Sequence, residues 1–163
     1  MKYIQAFTLC ICLTFLACTN PTIKRGYGQT PEELGQAIVD ALNAKSEESL
    51  HNLRVDKEQY EKELWPEFPS SRPELNFTPD FAWGNMNKKC LQGVSKWVRI
   101  YGGKNYEFVR IQFTSPTQPY KTFKLRRGAL LTIRNTDGKE QDLKILGSVV
   151  EKDHYYRLLS YDD

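Results

Sequence analysis

Leu34, Ile38, Ala41 and Leu42 recur at intervals of three to four, which puts them on one face of a helix. Thr30-Pro31-Glu32-Glu33 precedes them as a start signal: a threonine N-cap, proline at the first helical position and a glutamate to complete a capping box. Ser46-Glu47-Glu48 opens a shorter helix with Leu50 and Leu53 inward. Asp56-Lys57-Glu58-Gln59 opens another, carrying Tyr60 and Leu64 until Pro66 stops it. The stretch "WPEFPSSRPE", residues 65–74, has three prolines and reads as loop. Thr78-Pro79-Asp80 repeats the capping signal before Phe81, Trp83, Met86 and Cys90, with Cys90 on the face of Trp83 and Met86.

From Gly93 the period changes to two. Val94, Val98 and Ile100 alternate with Ser95, Trp97, Arg99 and Tyr101, which predicts a strand that turns at "GGKN". Tyr106 to Phe113 runs back with Val109, Ile111 and Phe113 on one face, and "SPTQP" is the next turn. Tyr120 to Arg134 is a long strand or pair of strands, kinked at Gly128. Asp137-Gly138 signals a hairpin, and Leu143–Val150 with Tyr155–Tyr161 forms the last one around Lys152-Asp153. Helices followed by consecutive hairpins predict one α+β domain over residues 30–163, its helices packed on a bent antiparallel sheet of about five strands.

The residues before this domain decide its address. Met1-Lys2 is followed by an apolar run of about 15 residues, from Tyr3 to Ala17, where a membrane span needs roughly 20. A cationic start, an apolar middle and a small residue before a cut are the parts of a secretory signal peptide over residues 1–17. Phe15-Leu16-Ala17-Cys18 resembles the lipobox of bacterial lipoproteins. That resemblance implies that Cys18 becomes the mature N-terminus and carries diacylglycerol and a further acyl chain of the palmitate type. Two or more chains hold a protein stably on a bilayer, where one does so only marginally. Residues 18–29 then form a polar tether punctuated by Pro21, Gly26 and Gly28, able to span at most roughly 40 Å. Thr19 is not the aspartate that the better-known Gram-negative sorting rule associates with inner-membrane retention. By resemblance to that rule the protein is expected at the outer membrane, facing the periplasm.

Cysteine usage agrees with export. Cys10 and Cys12 leave with the signal and Cys18 is acylated, so Cys90 alone remains in the domain and reads as a small buried hydrophobe.

Charge is unevenly spread in a chain whose net charge is only +3. Pro31 to Glu63 holds nine acids against four bases, whereas Arg110, Lys121, Lys124, Arg126, Arg127 and Arg134 lie between Glu107 and Asp137 with no acid among them. These six are a candidate surface for anionic lipid or an acidic protein partner. Charged edges also protect a sheet from unwanted pairing, and that use needs no partner. Nucleic acid is not expected as a partner of an exported protein.

No catalytic motif stands out. Paired carboxylates, metal-ligand spacing, a phosphate-binding glycine loop and Gly-x-Ser-x-Gly are all missing, so no catalytic residue, metal or cofactor is assigned. Asp40, Asp80, His51 and His154 read as capping or solvated side chains.

The segments "TPEELGQAIVDALNAKSEESLHNL", "GVSKWVRIYGG", "YEFVRIQF", "KTFKLRRGALLTIRNTDGKE" and "LKILGSVVEKDHYYRLLSYDD" together resemble the nuclear-transport-factor-2-like superfamily, a cystatin-like α+β cone. The resemblance implies helices over the concave face of a bent sheet and an interior suited to a small apolar ligand. It also implies two function classes. One is a non-enzymatic envelope module that binds a ligand or partner. The other is a small isomerase, dehydratase or hydrolase with its acid or base inside the cone.

Overall fold

The computed structural model describes residues 28–162. The signal segment, Cys18 and all of the tether before Gly28 lie outside the described residues. Helix α1 spans Pro31–Asn43, α2 Glu47–Asn52 and α3 Lys57–Gln59. A π turn continues α3 over Tyr60–Leu64, and three short 3-10 turns follow between Trp65 and Leu75. Helix α4 spans Pro79–Tyr101. Strands β1 (Glu107–Phe113), β2 (Gln118–Pro119), β3 (Lys124–Arg134), β4 (Glu140–Lys152) and β5 (Tyr155–Tyr161) complete the chain. The expected α+β class and five-stranded antiparallel sheet are present, and the sheet is open.

Each expected helix start is capped as the sequence implies. Thr30, Ser46, Asp56 and Thr78 are extended residues whose side-chain oxygens accept from the backbone N–H three residues on. Glu33 reaches back to the N–H of Gln29, one residue before the usual partner in a capping box, at 2.6 Å. On α1, Leu34, Ile38 and Leu42 are completely buried. Burying each such side chain stabilises by about 1.5–3 kcal/mol, so packing and not local preference holds the helix.

The strand expected from Gly93 is not there. Residues 94–101 are the second half of α4, and Cys90, Val94, Val98 and Tyr101 follow a helical spacing that the alternation at Val98 and Ile100 concealed. Gly93 is no breaker. A Cβ there would sit 2.7 Å from the carbonyl oxygen of Asp162, so the glycine lets the helix lie against the end of the sheet.

The sheet is a meander in the order β1-β3-β4-β5, with β2 beside the start of β3. Gly128, at a φ of 66°, bends β3 where a kink was expected. Pairing with β4 shifts register just after it, between Ala129 and Leu131. The Asp137-Gly138 turn forms with Gly138 at positive φ, and Asn135 Oδ1 accepts from the N–H groups of Asp137 and Lys139. The last hairpin turns on Asp153 and His154, one residue beyond the expected pair.

Alternating residues of the sheet feed two cores. Val149 and Leu158 join α1, α2, Val94, Leu131, Ile133 and Ile145 in the larger one. Their chain neighbours Val150 and Leu159 point the other way, to Tyr60, Leu64, Trp65 and Phe123. The β4–β5 end of the sheet is thus covered on both faces, with the first half of α4 (Ala82, Trp83, Met86) packed against the second core.

Candidate functional site

Only Arg54 and Val55 separate Leu53, the C-cap of α2, from the next cap at Asp56. The chain between these helices is stretched beside β5. Leu158 donates to the carbonyl of Leu53 at 3.1 Å and accepts from the N–H of Val55 at 2.8 Å. With its backbone pinned, Arg54 sends its side chain beneath α4 and is 5% exposed. Nη1 donates to Asn87 Oδ1 at 2.9 Å, and the guanidinium carbon lies 5.4 Å from the centroid of the Trp83 ring. Nε and Nη2 are enclosed and meet no acceptor among the described residues. Burial opposes the Arg54 charge and lowers its pKa; Cys90 and Tyr161 nearby act in the opposite direction. An arginine nevertheless keeps its proton in a protein, so a buried cation remains.

Over this residue lies a cleft of about 380 Å³ between α4 and the α2–α3 junction. His51, Lys57 and Asp56 stand at one side, and Trp83, Asn87 and Leu91, spaced four apart along α4, form the other. The remaining charges in the cleft have partners. Lys57 pairs with Asp80 at 2.5 Å and Glu61 at 3.6 Å. Asp56 caps α3 through the N–H of Gln59 and lies 3.8 Å from Arg157 Nη1. Arg157, 7% exposed, donates to Gln59 Oε1 at 2.6 Å. Burial, and then the Arg54 charge, lower the His51 pKa, which favours the neutral imidazole. Within this group Arg54 is the cation that faces no carboxylate. An unmatched buried charge is costly, commonly by several kcal/mol, so an acceptor here would be strongly held.

Beyond Arg157 a second cleft of about 320 Å³ is lined by Gln59, Glu63, Val150, Lys152, Asp153 and Tyr155. Its Lys152 is paired with Glu63 at 2.5 Å.

Four of the six basic positions are divided among acids of neighbouring strands. Lys124 and Arg126 converge on Glu151 of β4, at 2.8 and 2.5 Å. Arg126 is half-buried, with its guanidinium over the rings of Phe113 and Tyr156 at 5.3 and 5.8 Å. Arg134 pairs with Glu107 at 3.3 Å and Glu140 at 2.7 Å, and Arg110 lies 3.8 Å from Glu140. Lys121 and Arg127 are exposed. The acids that offset this run come from β1 and β4, so the charge block in the sequence is largely compensated across the sheet.

The residues weighed for acid–base chemistry do not assemble. Asp40 is exposed and accepts from Gln36, Asp80 is exposed with Lys57, and His154 sits in the exposed last turn. Cys90 is completely buried, and no carboxylate is buried among the described residues. Nor do three potential metal ligands cluster among the described residues. Arg54 escaped the sequence reading, although "NLRVD" carries a signal. An arginine flanked by Leu53 and Val55 between two caps is held by a segment too short to turn it outward.

Comparison with family models, with curated proteins and with solved structures gives no match for this chain.

Proposed function

We propose that this protein is a lipid-anchored envelope lipoprotein that works as a non-enzymatic binding module, holding its ligand in the cleft over Arg54. The observation that carries the reading is the buried guanidinium of Arg54, a residue that lines the cleft and holds two enclosed N–H donors unmatched among the described residues. Further facts support it. The sheet face under α1 and α2 is filled by apolar side chains, its buried Tyr161 hydroxyl is committed to the Leu50 carbonyl at 2.9 Å, and the carboxylates of the described residues are not buried. An acid–base enzyme of the isomerase, dehydratase or hydrolase type needs a carboxylate or imidazole free to move a proton in that interior.

The address in this proposal is the outer membrane on its periplasmic side, with Cys18 as the lipidated residue and membrane as the first partner. The order of helices before an open antiparallel meander supports kinship with nuclear-transport-factor-2-like domains. An anionic-lipid or acidic-protein contact through the six basic residues has weaker support, because Glu107, Glu140 and Glu151 already engage four of them.

The test is native mass spectrometry of the protein isolated from its own membrane. A small molecule retained by wild type and absent from Arg54→Met is the expected result. A bare mass for both proteins would overturn the reading.

A further inference from the structure

We infer that the ligand of this cleft is a small organic oxyanion, a carboxylate or a phosphate on a short apolar body, gripped side-on by Nε and Nη2 of Arg54. The inference rests on the binding-module reading above and specifies its chemistry.

The geometry of the guanidinium selects the class. Asn87 Oδ1 takes Nη1, which leaves Nε and Nη2. These two nitrogens share one edge of the plane, and their N–H bonds run parallel. That edge is the fork that carboxylate and phosphate oxygens accept in bidentate fashion. A purely structural arginine would aim such an edge at backbone carbonyls or an aspartate, and Arg54 does neither.

The surroundings select the rest of the ligand. The other charges lining the cleft are engaged, Lys57 with Asp80 and Asp56 with Arg157, which also donates to Gln59, so a single anionic group meets Arg54. Trp83 and the exposed Leu91 offer apolar contact for a short hydrocarbon part. The Trp83 ring lies against the guanidinium, its centroid 5.4 Å from the central carbon, and its negative face partly compensates the charge. An oxyanion on the Nε–Nη2 edge would change the charge beside this ring, which couples binding to indole fluorescence.

The experiment uses the full chain in non-ionic detergent, with hexanoate, acetate and inorganic phosphate as probes and chloride at matched ionic strength as control. Saturable rises in Tm and changes in tryptophan fluorescence are expected with hexanoate or phosphate beyond the chloride control. The stronger of the two identifies the head group, and a weaker response to acetate than to hexanoate supports the apolar body. Asn87→Asp supplies an internal carboxylate beside Arg54. It should raise Tm without probe and weaken probe binding at least tenfold. Because that variant is expected to be more stable, its result does not depend on whether Arg54→Met folds. Probes no better than chloride, together with an Asn87→Asp variant no more stable than wild type, would overturn the inference. If that occurs while native mass spectrometry still retains a molecule lost in Arg54→Met, the oxyanion assignment alone falls. A bare native mass as well removes the binding reading too.

Discussion

The indole N–H of Trp97 donates to the carbonyl oxygen of Asp162 at 2.8 Å, and Gly93, one turn earlier on α4, faces the same carbonyl. The two residues clamp the chain beyond β5 against the middle of a long helix. Gly93→Ala should therefore destabilise the protein. Ala gains about 1 kcal/mol of helix preference over Gly, but a Cβ 2.7 Å from a backbone oxygen forces helix and strand apart. Such overpacking costs about 1–3 kcal/mol, and rigid backbone on the far side puts this case at the upper end. Chemical denaturation measures the balance. A variant as stable as wild type would mean that α4 slides freely on the sheet.

That contact also explains where the sequence misled. The helix starts were legible because capping is local: Thr30, Ser46, Asp56 and Thr78 each accept from a residue three positions away. The reading of residues 94–101 failed because two rival periods share Val94 and Val98, four apart. A glycine before two β-branched valines then tipped the choice toward a strand. What decided for helix was non-local, namely the carbonyl of Asp162 and the core around Val94. Charge pairing was illegible for the same reason. Glu151 lies 25 residues from Arg126 in sequence and on the neighbouring strand in space.

Glu151 gives the second prediction. Burial raises its pKa, but hydrogen bonds from Lys124 and Arg126 outweigh this and leave it below the ordinary glutamate value. A carboxylate with a depressed folded pKa adds stability above its unfolded pKa, about 4.3, and loses it as pH falls through the folded value. Glu151→Gln should cost about 1–2 kcal/mol at neutral pH, since it strands the half-buried Arg126. The gap from wild type should close as pH drops below about 4. Denaturation curves at neutral and acid pH check this, and a gap that is constant with pH would show that the pair contributes nothing through its charge.

The alkaline limb depends on buried phenols. Burial pushes Tyr60 up to about 12, and it pushes Tyr161 upward as well, with Arg54 pulling the other way. In the unfolded chain both titrate near 10. A raised folded pKa means that the stability is complete below about pH 10 and lost as pH rises toward 12. Ultraviolet titration should show exposed tyrosines ionising first and a late group ionising together with loss of tertiary structure. Tyr60→Phe, which keeps the ring among Trp65, Phe68 and Trp83, should shift alkaline unfolding to higher pH. All tyrosines titrating in one step near 10 in a still-folded protein would contradict this burial.

The anchor is tested at the other end of the chain, outside the described residues. If Phe15-Leu16-Ala17-Cys18 is read as a lipobox, the thiol of Cys18 is the acylation point and the cut falls just before it. Cys18→Ser removes the sulfur while leaving the apolar run intact, so the variant still enters the export route but should remain uncut and unlabelled by an alkynyl palmitate analogue. Wild type should incorporate the label and lose the mass of residues 1–17. Cys10→Ser and Cys12→Ser should behave as wild type, because Leu9 and Ile11 precede those cysteines where a small residue precedes Cys18. Stable retention on the outer membrane follows from two or more chains, whereas one chain would exchange readily between membranes. A Cys18→Ser protein with the mature mass and the acyl label would place the anchor elsewhere. The tether length, and with it the reach of the Arg54 cleft from the bilayer, would then have to be counted from another residue.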